Sequence, residues 1–290
     1  MPTTLRGQRL KPQPWPVSPL NIDPQYRALW RGLVFAVVPG GNWQTELTTR
    51  TLGNVVGSGT FDNATTIGSS GLAAGAADGL QFESNSRLRG ITKNYTLVWL
   101  GEAHVRGGGS SWIHLLSLPY RTTGWTAPYF AVRMATRYTA TGIQLHHQQS
   151  GTYIPANTLA TSDSGFLDFD GDGQVHMGAA TRDGATVRFY KDGMPFGANA
   201  TLTNNTDPDF SAGPAGGTNV GIGTRSPYSA GEGGRSTHAV ALVYDRTLDD
   251  AEIALIWKDP YGFIRPRRIV SAAAPAANIR RYRRTLVGVG

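Results

Sequence analysis

Three aspartates in a short acidic segment are the residues of this sequence whose spacing most resembles a metal site. Asp168, Asp170 and Asp172 stand at positions 1, 3 and 5 of a run with Gly173 at position 6, which is how a calcium-binding loop begins. An EF-hand also needs glutamate at position 12, and that position is Ala179. Two interpretations stay open: a polar turn leading into the next strand, and a looser structural calcium site in which the cation offsets the repulsion between carboxylates.

Four aromatic residues form a second candidate site, this one for carbohydrate. They lie in or beside segment 119–128, which contains glycine and proline, and they are Trp112, Tyr120, Trp125 and Tyr129. Exposed rings beside polar loop groups are typical of ligand sites. The alternative is that Trp112 and Tyr129 are ordinary core residues.

The patterns of the common hydrolases and nucleotide-binding enzymes are missing from the sequence. None of the five glutamates is followed two residues later by aspartate, so the carboxylate set of the laminarinase-like glucanases does not occur. Neither a Gly-x-Ser-x-Gly nucleophile motif nor a phosphate-binding loop is found. The chain has no cysteine, which excludes thiol catalysis and disulfides. We therefore predict a protein that is not an enzyme and has no cofactor other than the calcium considered above.

The six histidines do not suggest a metal site. His146 and His147 are adjacent, so on a strand they point to opposite faces, and we interpret the other four as structural residues of strands: His104, His114, His176 and His238.

Positive charge is concentrated at the two ends of the chain. Residues 1–31 carry five basic groups and one acidic group, and residues 258–290 carry eight and one, which leaves fourteen basic and eighteen acidic groups between them. Basic ends are attracted to acidic surfaces. The predicted contact residues are Arg6, Arg9, Lys11, Arg265, Arg267, Arg268, Arg280, Arg281, Arg283 and Arg284. A nucleic-acid partner is not expected, because no folded nucleic-acid-binding module accompanies these arginines.

Membrane insertion and secretion are not expected either. No run of about 18 apolar residues occurs, and Met1 to Pro19 has basic residues and prolines with no apolar stretch after them.

Most of the chain has the pattern of short strands joined by tight turns. It contains 37 glycines and only 16% charged residues, a composition that favours an all-β fold over helical bundles. An Asp183-Gly184 pair predicts a type I′ hairpin turn between two strands, and Asp192-Gly193 predicts a second turn. The predicted strands are 32–38, 80–83, 95–105, 112–118, 129–135, 142–147, 175–182, 185–191, 219–223 and 237–244.

One helix is predicted near the C-terminus. Asp249 can cap it, Glu252 is three residues on as the reciprocal partner, and Asp259-Pro260 ends it.

Several of these segments, taken in order, resemble the laminin-G-like, concanavalin-A-like jelly-roll family. They are Gly32-Leu33-Val34, Gly79-Leu80-Gln81-Phe82, Gly173-Gln174-Val175-His176, the stretch 180–193, and 243–253. The ending from Trp257 to Arg268 resembles the members found in tailed-bacteriophage virions. Val175, where the family commonly has tryptophan, and the stretch 42–78 depart from the pattern. The resemblance implies a two-sheet antiparallel jelly-roll sandwich that binds partners rather than catalysing a reaction.

From the sequence and this resemblance we expect three regions: an extended proline-rich arm at 1–28, the sandwich at 29–258, and an extended arginine-rich arm at 259–290. The expected function is that of a structural protein of the virion, assembled in the host cytoplasm, such as a capsid-decorating subunit. Its partners would be other virion proteins bound through both termini, and further copies of itself in the particle. The alternative is a carbohydrate-binding module of a tail fibre or baseplate that recognises surface glycans of the host.

Overall fold

A computed structural model describes most of the predicted sandwich and neither end of the chain. The described residues are 20, 22–37, 47–52, 55–61, 66–68, 71–74, 80–83, 86–103, 112–119, 130–137, 140–147, 159–161, 174–202, 205–208, 219–222 and 236–264.

The first of two antiparallel sheets has nine strands, and its long strands carry many of the buried hydrophobic side chains of the core. Its long central strands pair with one another along most of their length, so Val98 lies beside both Ala179 and Leu242. The strands are β1 (Leu33–Val37), β4 (Thr66–Gly68), β5 (Gly71–Ala74), β7 (Tyr95–Ala103), β12 (His176–Asp183), β13 (Thr186–Lys191), β14 (Met194–Pro195), β15 (Ala200–Thr201) and β17 (Ser236–Tyr244).

The second sheet has eight strands, and its inner strands are also antiparallel neighbours. It consists of β2 (Leu47–Leu52), β3 (Val55–Phe61), β6 (Leu80–Glu83), β8 (Trp112–Pro119), β9 (Phe130–Arg137), β10 (Ala140–His147), β11 (Leu159–Thr161) and β16 (Asn219–Ile222). Helix α1 (Ser86–Arg89) is a single turn, and α2 (Asp250–Lys258) is the helix predicted near the C-terminus. The predicted all-β, two-sheet fold is confirmed.

Strand β7 shows that the first sheet is covered on both of its faces. Residues 95 to 100 are all fully buried, and successive residues of a strand point to opposite faces. The face that carries Val98 also carries Tyr190, whose hydroxyl group donates a hydrogen bond to Asp250 of α2. The face that carries Val98 therefore packs against α2. The opposite face of the sheet is the one available to pack against the second sheet.

The two hairpin turns of the first sheet differ in type. Asp183 pairs with Thr186, so the first turn is Gly184-Ala185, and only Gly184 has a positive φ, of 59°. This is the pattern of a type II′ turn, and the type I′ prediction is wrong there by one residue. In the second turn Asp192 and Gly193 both have positive φ, 51° and 80°, as a type I′ turn requires.

The ends of the described chain are folded onto the sandwich rather than extended. Residues Pro24–Trp30 form a 3-10 helix with Tyr26 and Leu29 buried, and Ile22 before it is fully buried. At the other end, Gly262–Ile264 form a 3-10 turn in which Phe263 is fully buried. The packed unit thus includes Ile22 and Phe263, and the arm boundaries predicted at 28 and 258 both fall inside it.

Within the described ranges, no helix is long and apolar enough to cross a membrane.

Candidate functional site

The residues predicted from sequence to bind calcium, sugars and partner proteins fall almost entirely outside the described part of the chain. Trp112 begins strand β8. Outside the described residues are Asp168, Asp170, Asp172, Tyr120, Trp125, Tyr129, Arg6, Arg9, Lys11, Arg265, Arg267, Arg268, Arg280, Arg281, Arg283 and Arg284. What the structure does show is the place from which both basic arms begin.

We name that place the cap: the N-terminal 3-10 helix (Pro24–Trp30), helix α2, and the residues 259–264 after it. The N-terminal helix begins as its sequence dictates, because the Asp23 carboxylate accepts a hydrogen bond from the Gln25 amide and proline is favourable at the first helical position. Helix α2 begins with the predicted capping box, in which Asp249 and Glu252 each accept the other's backbone N–H.

Two side chains of the N-terminal helix tie it directly to the C-terminal end. The Tyr26 hydroxyl donates a hydrogen bond of 2.9 Å to the Asp259 carboxylate, and the Trp30 indole N–H donates to the carbonyl of Phe263. Gly262 lies against the Tyr26 ring so closely that a Cβ atom at that position would collide with the ring. The two ends of the described chain are therefore packed together.

Arg246 joins the N-terminal helix to α2 through four hydrogen bonds. Its guanidinium makes a bidentate pair with the Glu252 carboxylate at 2.6 and 2.7 Å. The same group donates to the backbone carbonyls of Arg31 at 2.7 Å and Ala28 at 3.0 Å, which lie at the end of the N-terminal helix. It also lies over the Tyr244 ring, 5.8 Å from its centroid.

The electrostatics of this pair favour the charged state of both partners. Partial burial works against charge on each side chain, but the hydrogen bonds between them outweigh it, so that the pKa of Glu252 is lowered and that of Arg246 is raised. Burial alone raises the pKa of the Tyr261 phenol, also in the cap, to about 12, so this group stays neutral at physiological pH.

The cap is fixed to the first sheet by contacts along the length of α2. Tyr190 of β13 donates a hydrogen bond of 2.7 Å to Asp250 at the start of the helix. Trp257 near its end packs so closely on Gly193 that a Cβ atom there would lie 2.8 Å from the Trp257 Cβ. Because these contacts hold the helix in place, the cap has a defined position on the sandwich.

Charge divides sharply between the arms and the body that carries the cap. Segments 1–19 and 265–290 contain ten basic residues and no acidic residue, whereas residues 20–264 contain seventeen basic and twenty acidic residues. The arms thus carry +10 and the body −3. Leu20, where the first arm reaches the cap, is exposed.

The described residues also contain a histidine that pairs with a carboxylate. His176 Nδ1 lies 2.8 Å from an oxygen of Asp192, whose other carboxylate oxygen accepts the Met177 N–H. These bonds tie Asp192, which is in the left-handed region of the second hairpin turn, to the start of β12, and His176 is a strand residue as predicted. Among the residues that the structure describes, no three His, Asp or Glu side chains are grouped to hold a metal ion.

The cap residues Tyr26, Trp30 and Arg246 were not singled out by the sequence. The capping box indicated helix α2, but nothing local to Arg246 indicates that its side chain reaches carbonyls 215 and 218 residues away in sequence. The aromatic residues of 24–30 were a weak signal that this segment is packed, because an extended arm in water gains nothing from large aromatic side chains.

No protein-family model and no curated protein matches the sequence. Solved structures are similar in fold: the binding domain of botulinum neurotoxin DC in complex with SialylT has a TM-score of 0.54 at 8% identity over 79% of this chain. A Trypanosoma rangeli sialidase gives 0.53 at 14% identity over 86% of this chain. A mutant of that sialidase displaying trans-sialidase activity gives 0.53 at 15% over 88%.

This chain spans only 36% and 37% of the two sialidase chains and 52% of the toxin chain. At such low identities the likeness shows the β-sandwich fold and nothing of activity.

Proposed function

We propose that this protein is a non-enzymatic structural component of a tailed-bacteriophage particle, such as a capsid-decorating subunit, which is attached to neighbouring virion proteins by its two basic arms. The observation that carries the proposal is the division of charge: ten positive charges on the two arms, which both begin at the cap. The resemblance of the ending from Trp257 to Arg268 to the jelly-roll proteins of tailed-bacteriophage virions supports the same function.

Arginine is suited to such attachment because its guanidinium makes two parallel hydrogen bonds to a carboxylate. All seven basic residues of segment 265–290 are arginines. An acidic protein surface beside the cap would therefore be bound with a defined geometry as well as by charge.

The test is incorporation into particles. A phage genome lacking the gene is complemented with the intact protein or with chains shortened to start at residue 20 or to end at residue 264, and the protein per particle is measured by quantitative mass spectrometry. We expect both deletions to lower incorporation at least tenfold. As a matched pair, replacing Arg280, Arg281, Arg283 and Arg284 by glutamine should lower incorporation more than replacing them by lysine. Full incorporation of both shortened chains would contradict the proposal.

A second candidate function is glycan recognition by a tail fibre or baseplate module, favoured by the fold likeness to a toxin binding domain solved with SialylT. In this function the aromatic residues at 112–129 would stack on sugar rings. Binding to a glycan array should then be lost in Trp125→Ala and retained in Trp125→Phe, which keeps an aromatic ring. No binding by the intact protein to an array that includes sialylated glycans would exclude this candidate.

A further inference from the structure

Helix α2 of the cap is held by the rest of the molecule on three of its sides. Its inner side carries Ile253 and Ile256, which are fully buried. On one flank the Asp250 carboxylate accepts a hydrogen bond from β13, and on the other the Glu252 carboxylate is bound by the arginine that also holds the N-terminal helix. With 3.6 residues per turn, one side of the helix is left over. It consists of Ala251, Ala254, Leu255 and Lys258.

This outer side of α2 is apolar along most of its length, although it faces water. Ala251 is exposed, and Ala254 and Leu255 are only partly buried. A helix on the surface of a globular protein normally has polar residues on the side away from the core, whereas a helix that is apolar on every side is usually buried. Between the two ends of α2, the only polar residue is Glu252, and it points to the flank. The outer side therefore has the composition of an interface.

The two ends of α2 carry opposite charges that are accessible to a partner. Asp249 and Asp250 stand at its start and Lys258 at its end, and all three are exposed. The Asp250 side chain exposes 57% of its surface, and the guanidinium nearest to it, that of Arg188, is 3.9 Å away. The ion pairs of the described residues do not include Lys258. The helix thus offers an acidic end, an apolar middle and a basic end.

A second copy of the same helix, running antiparallel, complements this pattern. A two-fold axis between positions 254 and 255 places Ala251 of one copy opposite Lys258 of the other, so that each Lys258 lies beside the Asp250 of the second copy. The two alanines of the outer side allow the helix axes to approach to about 8–10 Å, and Leu255 then packs against the alanines of the other copy. Such an interface is isologous, because the same surface is used by both subunits.

We propose that the outer side of α2 is a contact between two copies of this chain, related by a two-fold axis. A partner surface with a single sign of charge would be attracted to one end of α2 and repelled by the other, whereas an antiparallel second copy satisfies both ends. This inference goes beyond the proposed function and does not depend on it.

The contact is expected to be weak in solution. Nine helical residues span only about 13 Å, so the surface that they bury in a helix pair is smaller than the roughly 1,200–2,000 Å² of stable complexes. Weak contacts of this kind become effective when the copies are already held close together, because their effective concentration is then high. The dimer should therefore be sought at high protein concentration.

The first experiment measures the sedimentation velocity of the full-length protein from about 10 μM to about 1 mM, the range over which a weak dimer forms. We expect the intact protein to change from monomer to dimer across this range. Ala251→Gln, which keeps a good helix former but separates the helices, and Lys258→Glu, which places like charges together, should each raise the dissociation constant about tenfold or more. The matched controls, Ala198→Gln and Lys93→Glu, replace exposed residues outside the cap and should change it less than about twofold.

The second experiment tests the antiparallel pairing by mixing two charge variants. Lys258→Glu alone and Asp250→Lys alone should each stay monomeric, since their own dimers place like charges together. In an equal mixture, Glu replaces Lys in one copy and Lys replaces Asp in the other, so both ends of a mixed dimer carry opposite charges. We expect the mixture to form dimers at concentrations at which neither variant does so alone.

Three results would overturn the proposal. The first is an intact protein that stays monomeric up to the highest concentration. The second is an intact protein whose self-association is unchanged in Ala251→Gln and Lys258→Glu, because the contact would then lie elsewhere. The third is a mixture of the two folded charge variants that remains monomeric, which excludes the antiparallel pairing. Circular dichroism shows whether each variant is folded, and the first experiment decides alone if Asp250→Lys is not.

Discussion

The Arg246 guanidinium is shared by three parts of the chain: the end of the N-terminal helix, the end of β17 and the start of α2. Its side chain and that of Glu252 expose only 17% and 14% of their surfaces, so the pair is far less screened by water than a surface salt bridge. The two backbone carbonyls would lose their donor if the side chain were shortened. The pair therefore stabilises the whole cap, and its loss is expected to cost more than that of an exposed pair.

We predict that Glu252→Gln lowers the free energy of unfolding by about 1–3 kcal/mol at pH 7. The pKa of Glu252 is lowered in the fold, so its contribution is complete above the ordinary carboxyl pKa and is lost as pH falls below about 4.5. Urea unfolding at pH 7 and pH 3.5 should show a difference between the intact protein and the variant that shrinks at the lower pH.

The control for this prediction is Asp245→Asn. Asp245 and Arg87 are 3.9 Å apart and more than a third exposed, so this substitution should change stability little at either pH. An equal loss in the two variants would contradict the role given to the Arg246 pair.

At the scale of elements, the two hairpin turns of the first sheet offer a matched comparison. Gly193 and Gly184 both have positive φ, a conformation that costs a side chain about 1–2 kcal/mol. A Cβ on Gly193 would also meet Trp257 at 2.8 Å, whereas one on Gly184 would meet only Asn205 at 3.6 Å. We predict that Gly193→Ala destabilises the protein by about 1–3 kcal/mol more than Gly184→Ala does, because α2 must shift. Thermal unfolding of the two variants measures the difference, and equal melting temperatures would show that Trp257 adjusts freely.

The same elements show how far sequence determines this fold. Strand Leu80–Glu83, the strands of the first hairpin and the capping box at Asp249 were predictable because alternation, turn residues and helix caps are local signals. The first turn was shifted by one residue because glycine at its first central position is also a stable choice. Tyr26, Trp30 and Arg246 act over long separations in sequence, and no local pattern predicts such contacts.

For the molecule as a whole, the cap sets where the chain can be shortened. We predict that deleting residues 1–19 or 265–290 changes Tm by only a few degrees, because both deletions stop outside the cap. Deleting residues 1–27 removes the buried Ile22 and Tyr26 and should lower Tm by about 10 °C or more. Differential scanning calorimetry of the three shortened chains provides the measurement. A chain starting at residue 28 that melted like the intact protein would mean that the N-terminal helix contributes no stability.

The pairing of β1 with β17 has a mechanical consequence. Strand β1 follows directly on the N-terminal helix, β17 leads into α2, and Leu33 pairs with Tyr244 where the two strands meet the cap. Strand β17 also pairs with β7 along its length, so tension on the second arm reaches an inner strand held by hydrogen bonds on both sides. A pull along β17 would therefore load backbone hydrogen bonds to both neighbouring strands, whereas a pull on an outer strand would load those of one side only.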